Sequence, residues 1–174
     1  ELASLINNQI IETAAAAKTT SAAITNAISD SVLTGEEVSE TSANARALHS
    51  SLNFTEELVE IYTDQYSEIA PETSGLLLAI DEALNETTTH SNEVVALLDQ
   101  QGGTASVRMD QLRMAALLLD TQSTSLQAQS KNWLANVLTQ IEVREKFYAN
   151  TSSQSGQVAY NRVEAFIQAH DFVD

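Results

Sequence analysis

Hydrophobic residues recur at alternating steps of three and four positions along most of the chain. In the first 33 residues the repeat includes Ala3, Ile6, Ile10, Ala17 and Ile24. This spacing places them on one side of an α-helix, as in a helix that packs against others. Apolar and polar residues do not alternate with a period of two, so we expect an all-α fold without a β-sheet.

Helix-breaking residues divide this pattern into five predicted helices. These helices cover about residues 1–33, 36–68, 71–101, 104–150 and the segment after 156. Gly35 suits the left-handed position that follows the first helix, and Glu36 and Glu37 suit the positive end of the second. Pro71 can begin the third helix because its missing N–H is not needed there. The fourth helix is predicted to be the longest.

Short turns make successive helices antiparallel neighbours in a bundle. The height of each residue along the bundle axis, which we call its level, can therefore be counted from the sequence. The fourth helix returns to the level of residue 1 near residue 134. About 15 further residues then extend beyond that level, or about 22 Å at 1.5 Å per residue. We therefore predict a long antiparallel helical bundle of two stacked four-helix bundles that share long helices. Residues 1–135 form the first bundle, and residues 136–174 form part of the second.

Composition and charge narrow the class of function. The 174 residues are 43% hydrophobic, which suffices for one packed domain, and the net charge is −16. A strongly acidic chain is a poor partner for nucleic acid or an anionic membrane, since both require Lys and Arg. No apolar segment approaches the roughly 20 residues of a membrane span. Small molecules and other proteins are the partners that we expect.

Chemical motifs point to binding rather than catalysis. The chain has no Cys, and its three His residues are too scattered for a metal-ligand motif. It also has no nucleophile elbow and no phosphate-binding glycine loop. We therefore predict no enzymatic activity, no catalytic residue, no bound metal and no cofactor.

The count of levels brings several polar residues of four helices into one layer of the first bundle. The candidate ligand-binding residues are Thr20, Arg46, His49, Thr87, His90, Ser91 and Arg113. Guanidinium groups and hydroxyl donors of this kind would hold a small carboxylate. The alternative is that both arginines lie on the surface and pair with acidic residues at helical spacing, with the histidines as ordinary flanking residues.

The fourth helix interrupts its apolar face with small polar residues between Leu119 and Trp133. Small side chains let helix backbones approach closely, so Ser123, Ala128 and Ser130 indicate close packing between helices or between two copies of the chain. We predict a homodimer whose contact runs along the first helix, the fourth helix or both, through residues 14–17 and 123–130.

Two hairpin segments, "VLTGEE" at 32–37 and "VREKFYANTSSQSG" at 143–156, join these long helices. The pattern resembles the extracytoplasmic sensor domains of bacterial methyl-accepting chemotaxis receptors, most of all the helical bimodular type. Glu145-Lys146-Phe147 is similar to the end of a long helix in that family. The four-helix-bundle type of sensor domain is the second choice.

This resemblance implies where the domain lies relative to the membrane and what it does. Residues 1–135 would be the membrane-distal bundle, and the membrane would be reached through transmembrane segments absent from this chain. The resemblance further implies a periplasmic dimer that binds a small metabolite, such as an organic acid or amino acid, and signals by a small helix displacement. The sensor domain of a histidine kinase and a non-sensory helical spacer or interaction module are the alternatives.

Overall fold

The computed structural model describes residues 2–100 and 105–149, together with residues 164, 165, 168 and 169. Four long helices account for most of them, and the described residues contain no strand. The helices are α1 (Leu2–Ala27), α2 (Gly35–Tyr66), α3 (Pro71–Asp99) and α4 (Ala105–Ala149). The all-α prediction is confirmed. Most of the predicted fifth helix and the turn at Gly102 lie outside the described residues.

The first helix ends six residues earlier than predicted because local side chains compete for its backbone groups. The Ser29 hydroxyl donates to the Asn26 carbonyl at 2.7 Å, and an Asp30 carboxylate oxygen accepts from the Val32 N–H at 3.0 Å. Such bonds stabilise a turn in place of another helical turn. The left-handed residue is Ser31, with φ of 63°. The prediction that Gly35 takes this position is wrong, because Gly35 is the first residue of α2.

A capping box begins α2. The Thr34 hydroxyl accepts from the Glu37 N–H at 3.2 Å, while a Glu37 carboxylate oxygen accepts from the Thr34 N–H at 2.8 Å. Each bond satisfies a backbone donor that the first turn leaves without a partner. The predicted acidic first turn is confirmed by Glu36 and Glu37.

Removing this cap should lower stability without changing the fold. We expect Thr34→Ala to lower the free energy of unfolding by about 0.5–2 kcal/mol, the usual cost of losing an N-cap side chain. Urea denaturation followed by circular dichroism measures this change. Ser39→Ala is the matched control, because Ser39 is an exposed residue inside the same helix and should change stability by less than about 0.5 kcal/mol. Equal losses in the two variants would contradict the capping assignment.

The turn between α2 and α3 follows the predicted chemistry. Pro71 is at the start of α3, where its missing N–H costs no hydrogen bond. The preceding Ala70 is buried, and its N–H donates to the Tyr66 carbonyl at 2.8 Å. The prediction of a helix beginning at Pro71 is confirmed.

The helices surround one apolar core, with α1 against α2 and α4, and α3 against α2 and α4. Helices α1 and α4 thus form one side of the bundle, and α2 and α3 form the opposite side. The largest fully buried side chains are Ile6, Ile10, Ile24, Leu48, Leu52, Tyr62, Leu77, Ile80, Leu84, Leu112 and Trp133. Burial of one such side chain stabilises the fold by roughly 1.5–3 kcal/mol.

Hydrogen bonds between α1 and α4 define the register of the two helices. Ser130 bonds to Asn7, Ser123 to the carbonyl of Ala14, and Ser21 to the carbonyl of Ala116. Extending this spacing places residue 136 level with residue 1, within two residues of the predicted level. The helix continues to residue 149, about 20 Å further at 1.5 Å per residue. α4 is thus the longest described helix and extends past α1, as predicted.

Candidate functional site

Three hydrogen bonds at seven-residue intervals form what we call the α1–α4 seam. The Oγ atoms of Ser21 and Ser123 each donate across the seam at 2.6 Å to a backbone carbonyl of the other helix. The Ser130 Oγ donates to the Asn7 Oδ1, also at 2.6 Å. Short side chains let the two backbones approach closely enough for these bonds. The polar face of α4 is therefore a hydrogen-bonded packing surface.

The seam buries small side chains of the face where a dimer contact is predicted. The packing of α1 on α4 within a single chain buries four small side chains, those of Ala14, Ala17, Ser123 and Ser130. Close packing between helices, one of the two interpretations of this face, is confirmed for Ser123 and Ser130. These four side chains are not accessible to a second copy, whereas Ala15, Thr124 and Gln127 in the same two ranges are exposed, and the homodimer stays a prediction. Ala128 is also exposed.

The hydroxyl groups of the predicted ligand layer are used within the protein. Thr20 donates to the Ala16 carbonyl at 2.8 Å, and Thr87 donates to the Ala83 carbonyl at 2.6 Å. Ser91 donates across the core to the Ala45 carbonyl at 3.4 Å. All three side chains are buried. The Ser91 bond joins α3 to α2, whereas the Thr20 and Thr87 bonds lie within one helix. Each hydroxyl would have to leave its present acceptor to donate to a ligand.

The charged and imidazole groups of that layer lie on different sides of the bundle. Arg46 and His49 are exposed on α2, whereas Arg113 is exposed on α4 and bonds to Asp110 at 2.6 Å. His90 on α3 has its Nδ1 3.5 Å from a Glu93 carboxylate oxygen. Since α2 and α4 are diagonal neighbours in the bundle, the structure does not bring the two arginines together. The predicted layer is thus divided among separate surfaces.

A groove of about 840 Å³ follows the outer surface between α1 and α4, and Arg113 is the one predicted site residue that lines it. We call it the α1–α4 groove. Its lining residues are Lys18, Ser21, Ala22, Thr25, Asn26, Asp110, Arg113, Met114, Ala116, Leu117 and Asp120. Sequence reasoning missed Lys18. It lies seven residues before Thr25 and therefore on the same side of α1, but the level of a residue does not show which side of a helix faces a groove.

The groove combines charges of both signs with an apolar surface. Lys18 and Arg113 balance Asp110 and Asp120. Lys18 forms no ion pair with any residue that the structure describes, so its ammonium group is available to an anion. Met114 and Leu117 are 57% and 60% exposed. This arrangement suits a molecule with a carboxylate, an ammonium group and a short apolar part.

A second groove, of about 380 Å³, lies between α2 and α3 and is strongly acidic. Glu56, Glu60, Asp64 and Asp81 line it, and no basic residue does. Burial raises the pKa of Glu56, and the nearby Asp81 raises it further, against the opposing effects of a Thr88 hydrogen bond and of His49. The raised pKa thus reflects chiefly the burial of the carboxyl group, while the acidic character of the groove comes from its four carboxylates. An organic anion would be repelled here.

Three further observations concern the whole of the described structure. No described helix is long and apolar enough to span a membrane. Within the same residues, no group of three or more acidic or histidine side chains is arranged to hold a metal ion. Comparison of the chain with protein-family models, curated proteins and solved structures yields no match. The geometry of the two grooves and the seam is therefore the basis for inferring a function.

Proposed function

We propose that this chain is an extracytoplasmic ligand-binding sensor domain of a bacterial transmembrane chemoreceptor, and that it recognises a small organic acid or amino acid. The observation that carries the proposal is the α1–α4 groove, which both Lys18 and Arg113 line in a chain of net charge −16. Two cations beside an apolar surface favour a carboxylate that carries a short apolar group.

In the proposed complex, Lys18 and the guanidinium group of Arg113 hold the ligand carboxylate. Asp120 and Asp110, whose Oδ1 also accepts from Arg113 at 2.6 Å, would hold an ammonium group, and this would favour an amino acid over a simple organic acid. Met114 and Leu117 contact the apolar part of the ligand. This site retains Arg113 from the predicted layer and does not use Thr20, Arg46, His49, Thr87, His90 or Ser91.

A ligand between α1 and α4 is well placed to shift one helix along the other. The hydrogen bonds of the seam are made by serine hydroxyls, and a serine hydroxyl can also donate to the carbonyl four residues earlier in its own helix. A shift of about 1–2 Å, the size common in helix-displacement signals, therefore costs little in lost hydrogen bonds. The long α4 would carry that displacement toward the inner membrane, through segments outside this chain.

Ligand screening tests the proposed site. A ligand at 100 times its dissociation constant should stabilise the domain by about 2.7 kcal/mol, or about 5–10 °C in melting temperature for a domain of this size. We expect an organic acid or an amino acid to give such a shift. Lys18→Met and Arg113→Met should each weaken its binding at least about tenfold, because each removes a charge-assisted contact.

Arg46→Met is the matched control, because Arg46 is also an exposed arginine but lies on α2. It should leave the dissociation constant unchanged in isothermal titration calorimetry. Loss of binding in Arg46→Met with normal binding in Arg113→Met would move the site to α2. If no organic acid or amino acid stabilises the domain, the spacer alternative replaces the proposed sensor function.

A further inference from the structure

The two sides of the bundle differ in charge. α2 has seven acidic residues and one arginine, and α3 has six acidic residues with no Lys or Arg, so their net charge is −12 with histidine neutral. α1 has one glutamate and one lysine, and α4 has four acidic and five basic residues, so their net charge is +1. Because α1 packs on α4 and α2 packs on α3, we call the two sides the neutral side and the acidic side. The acidic side attracts small cations.

The acidic side contains the second groove, which we call the α2–α3 groove. Glu56, Glu60 and Asp64 line it from α2 at intervals of four residues, so that one wall has a carboxylate at about every 6 Å. Asp81 lines the facing wall on α3, and no basic residue of the described part of the chain lies in the groove. The carboxylates follow the length of the groove, and no group of them is arranged to hold a metal ion within the described residues. This arrangement suits a cation with charges at more than one position.

Two hydroxyl groups of the same helix pair are buried and have no hydrogen-bond partner among the described residues. One is the Oγ1 of Thr63, which lines the groove. The other is the Oγ of Ser74, a residue that is only 4% exposed. Ser74 lies seven residues before Asp81 and therefore on the same side of α3, nearer the turn that joins α2 to α3. Both oxygen atoms can accept a hydrogen bond from an ammonium group.

An apolar surface continues the α3 wall between Ser74 and Asp81. Leu78 lines the groove and is 54% exposed, and Val59 lines it from α2. A methylene chain in contact with Leu78 would remove apolar surface from water. The groove therefore combines separated negative charges, unpartnered hydroxyls and an apolar surface.

We propose that the α2–α3 groove binds a linear aliphatic diamine. One ammonium group donates to the carboxylates of Glu60 and Asp81. The other donates to the Thr63 and Ser74 hydroxyls, and the neighbouring Asp64 balances its charge. Four residues of α2 rise about 6 Å, and an extended chain of four methylenes separates its two ammonium groups by a similar distance. The ligand is opposite in charge to the carboxylate proposed for the α1–α4 groove and binds on the other side of the bundle.

Isothermal titration calorimetry of the chain with butane-1,4-diamine tests the inference. The ionic strength is held constant at about 0.1 M, where general attraction to distant charges is largely screened. We expect saturable binding of one diamine per chain. Butylamine, which has a single ammonium group, and CaCl₂ should each bind at least about tenfold more weakly, because neither can contact both ends of the groove at once.

Charge-matched variants locate the site. Glu60→Gln and Asp81→Asn should each raise the dissociation constant of the diamine at least about tenfold, because each removes a charge-assisted hydrogen bond. Glu57→Gln is the matched control, since Glu57 is an exposed acidic residue of α2 that does not line the groove. It removes the same charge and should change the constant by less than about twofold.

A variant without a charge change tests the buried hydroxyl. Ser74→Ala should raise the dissociation constant about fivefold or more, because the ammonium group loses an acceptor. The melting temperature of the ligand-free protein should not fall, because the Ser74 hydroxyl has no partner to lose among the described residues. A residue that only stabilised the fold would instead show a lower melting temperature.

Three results would overturn the inference: no saturable diamine binding up to about 10 mM, equal binding of butylamine or CaCl₂, or equal losses in Glu57→Gln and Glu60→Gln. Lys18→Met and Arg113→Met should leave diamine binding unchanged, because these two residues line only the α1–α4 groove. The diamine site and the proposed carboxylate site can thus fail independently of each other.

Discussion

Ser123→Leu is expected to lower the free energy of unfolding by about 2–4 kcal/mol. Ser123 is 1% exposed, and its hydroxyl donates to the Ala14 carbonyl at 2.6 Å. Leucine loses this hydrogen bond, which contributes about 1 kcal/mol. Its larger side chain also forces α1 and α4 apart, and overpacking of this kind costs about 1–3 kcal/mol. Urea denaturation followed by circular dichroism measures the sum of these effects.

Two control variants separate the causes. Ser123→Ala removes the hydroxyl without adding volume, so it should cost only about 1 kcal/mol. Thr124→Leu adds a similar apolar side chain at the exposed neighbouring position and should change stability by less than about 0.5 kcal/mol. The intrachain seam would be refuted if Ser123→Leu kept wild-type stability and instead dissociated a dimer.

Trp133→Ala is expected to lower the free energy of unfolding by about 3–5 kcal/mol. Trp133 is fully buried, and its ring packs edge-on against Tyr62, with ring centroids 5.7 Å apart. Tyr62 in turn contacts Tyr66 at 4.9 Å. Alanine would leave a large cavity among these rings near the end of the four-helix bundle. The loss of stability is again measured by urea denaturation.

The indole Nε1 of Trp133 allows the effect of lost side-chain volume to be tested separately from the loss of a hydrogen bond. Its Nε1 has no hydrogen-bond partner among the described residues, so Trp133→Phe loses volume but no hydrogen bond. We expect Trp133→Phe to cost less than half as much as Trp133→Ala. Leu138→Ala, at a half-exposed position of the same helix, should cost less than about 1 kcal/mol. A Trp133→Ala variant as stable as Leu138→Ala would contradict the buried packing of Trp133.

Local sequence patterns predicted the helices well because helix formation depends on nearby residues. The start at Pro71 and the acidic first turn of α2 both follow from backbone groups that neighbouring residues satisfy. The end of α1 was predicted less well. Ser29, Asp30 and Ser31 form a turn before Gly35, and their side chains compete with the helix for backbone hydrogen bonds. Composition does not reveal which of these local bonds will form.

The candidate site was predicted only in part, for a reason of geometry. Counting along antiparallel helices gives the level of a residue to within about two positions: residue 134 was predicted at the level of residue 1, and the observed hydrogen bonds place residue 136 there. Counting does not give the direction of a side chain around the helix. Arg46 and Arg113 share a level by that count but are exposed on diagonal helices. Lys18, at the level of the same layer, lines the groove with Arg113.

The sequence by itself determined the all-α class, the long fourth helix and the register of α1 against α4, because periodicity and turn lengths are local properties. Only the tertiary structure decided which residues meet across the bundle. It placed the serines of α4 inside a hydrogen-bonded seam, and it separated an acidic side from a neutral one. Each of these outcomes depends on the rotation of every helix about its own axis, which is settled when all four apolar faces are buried together.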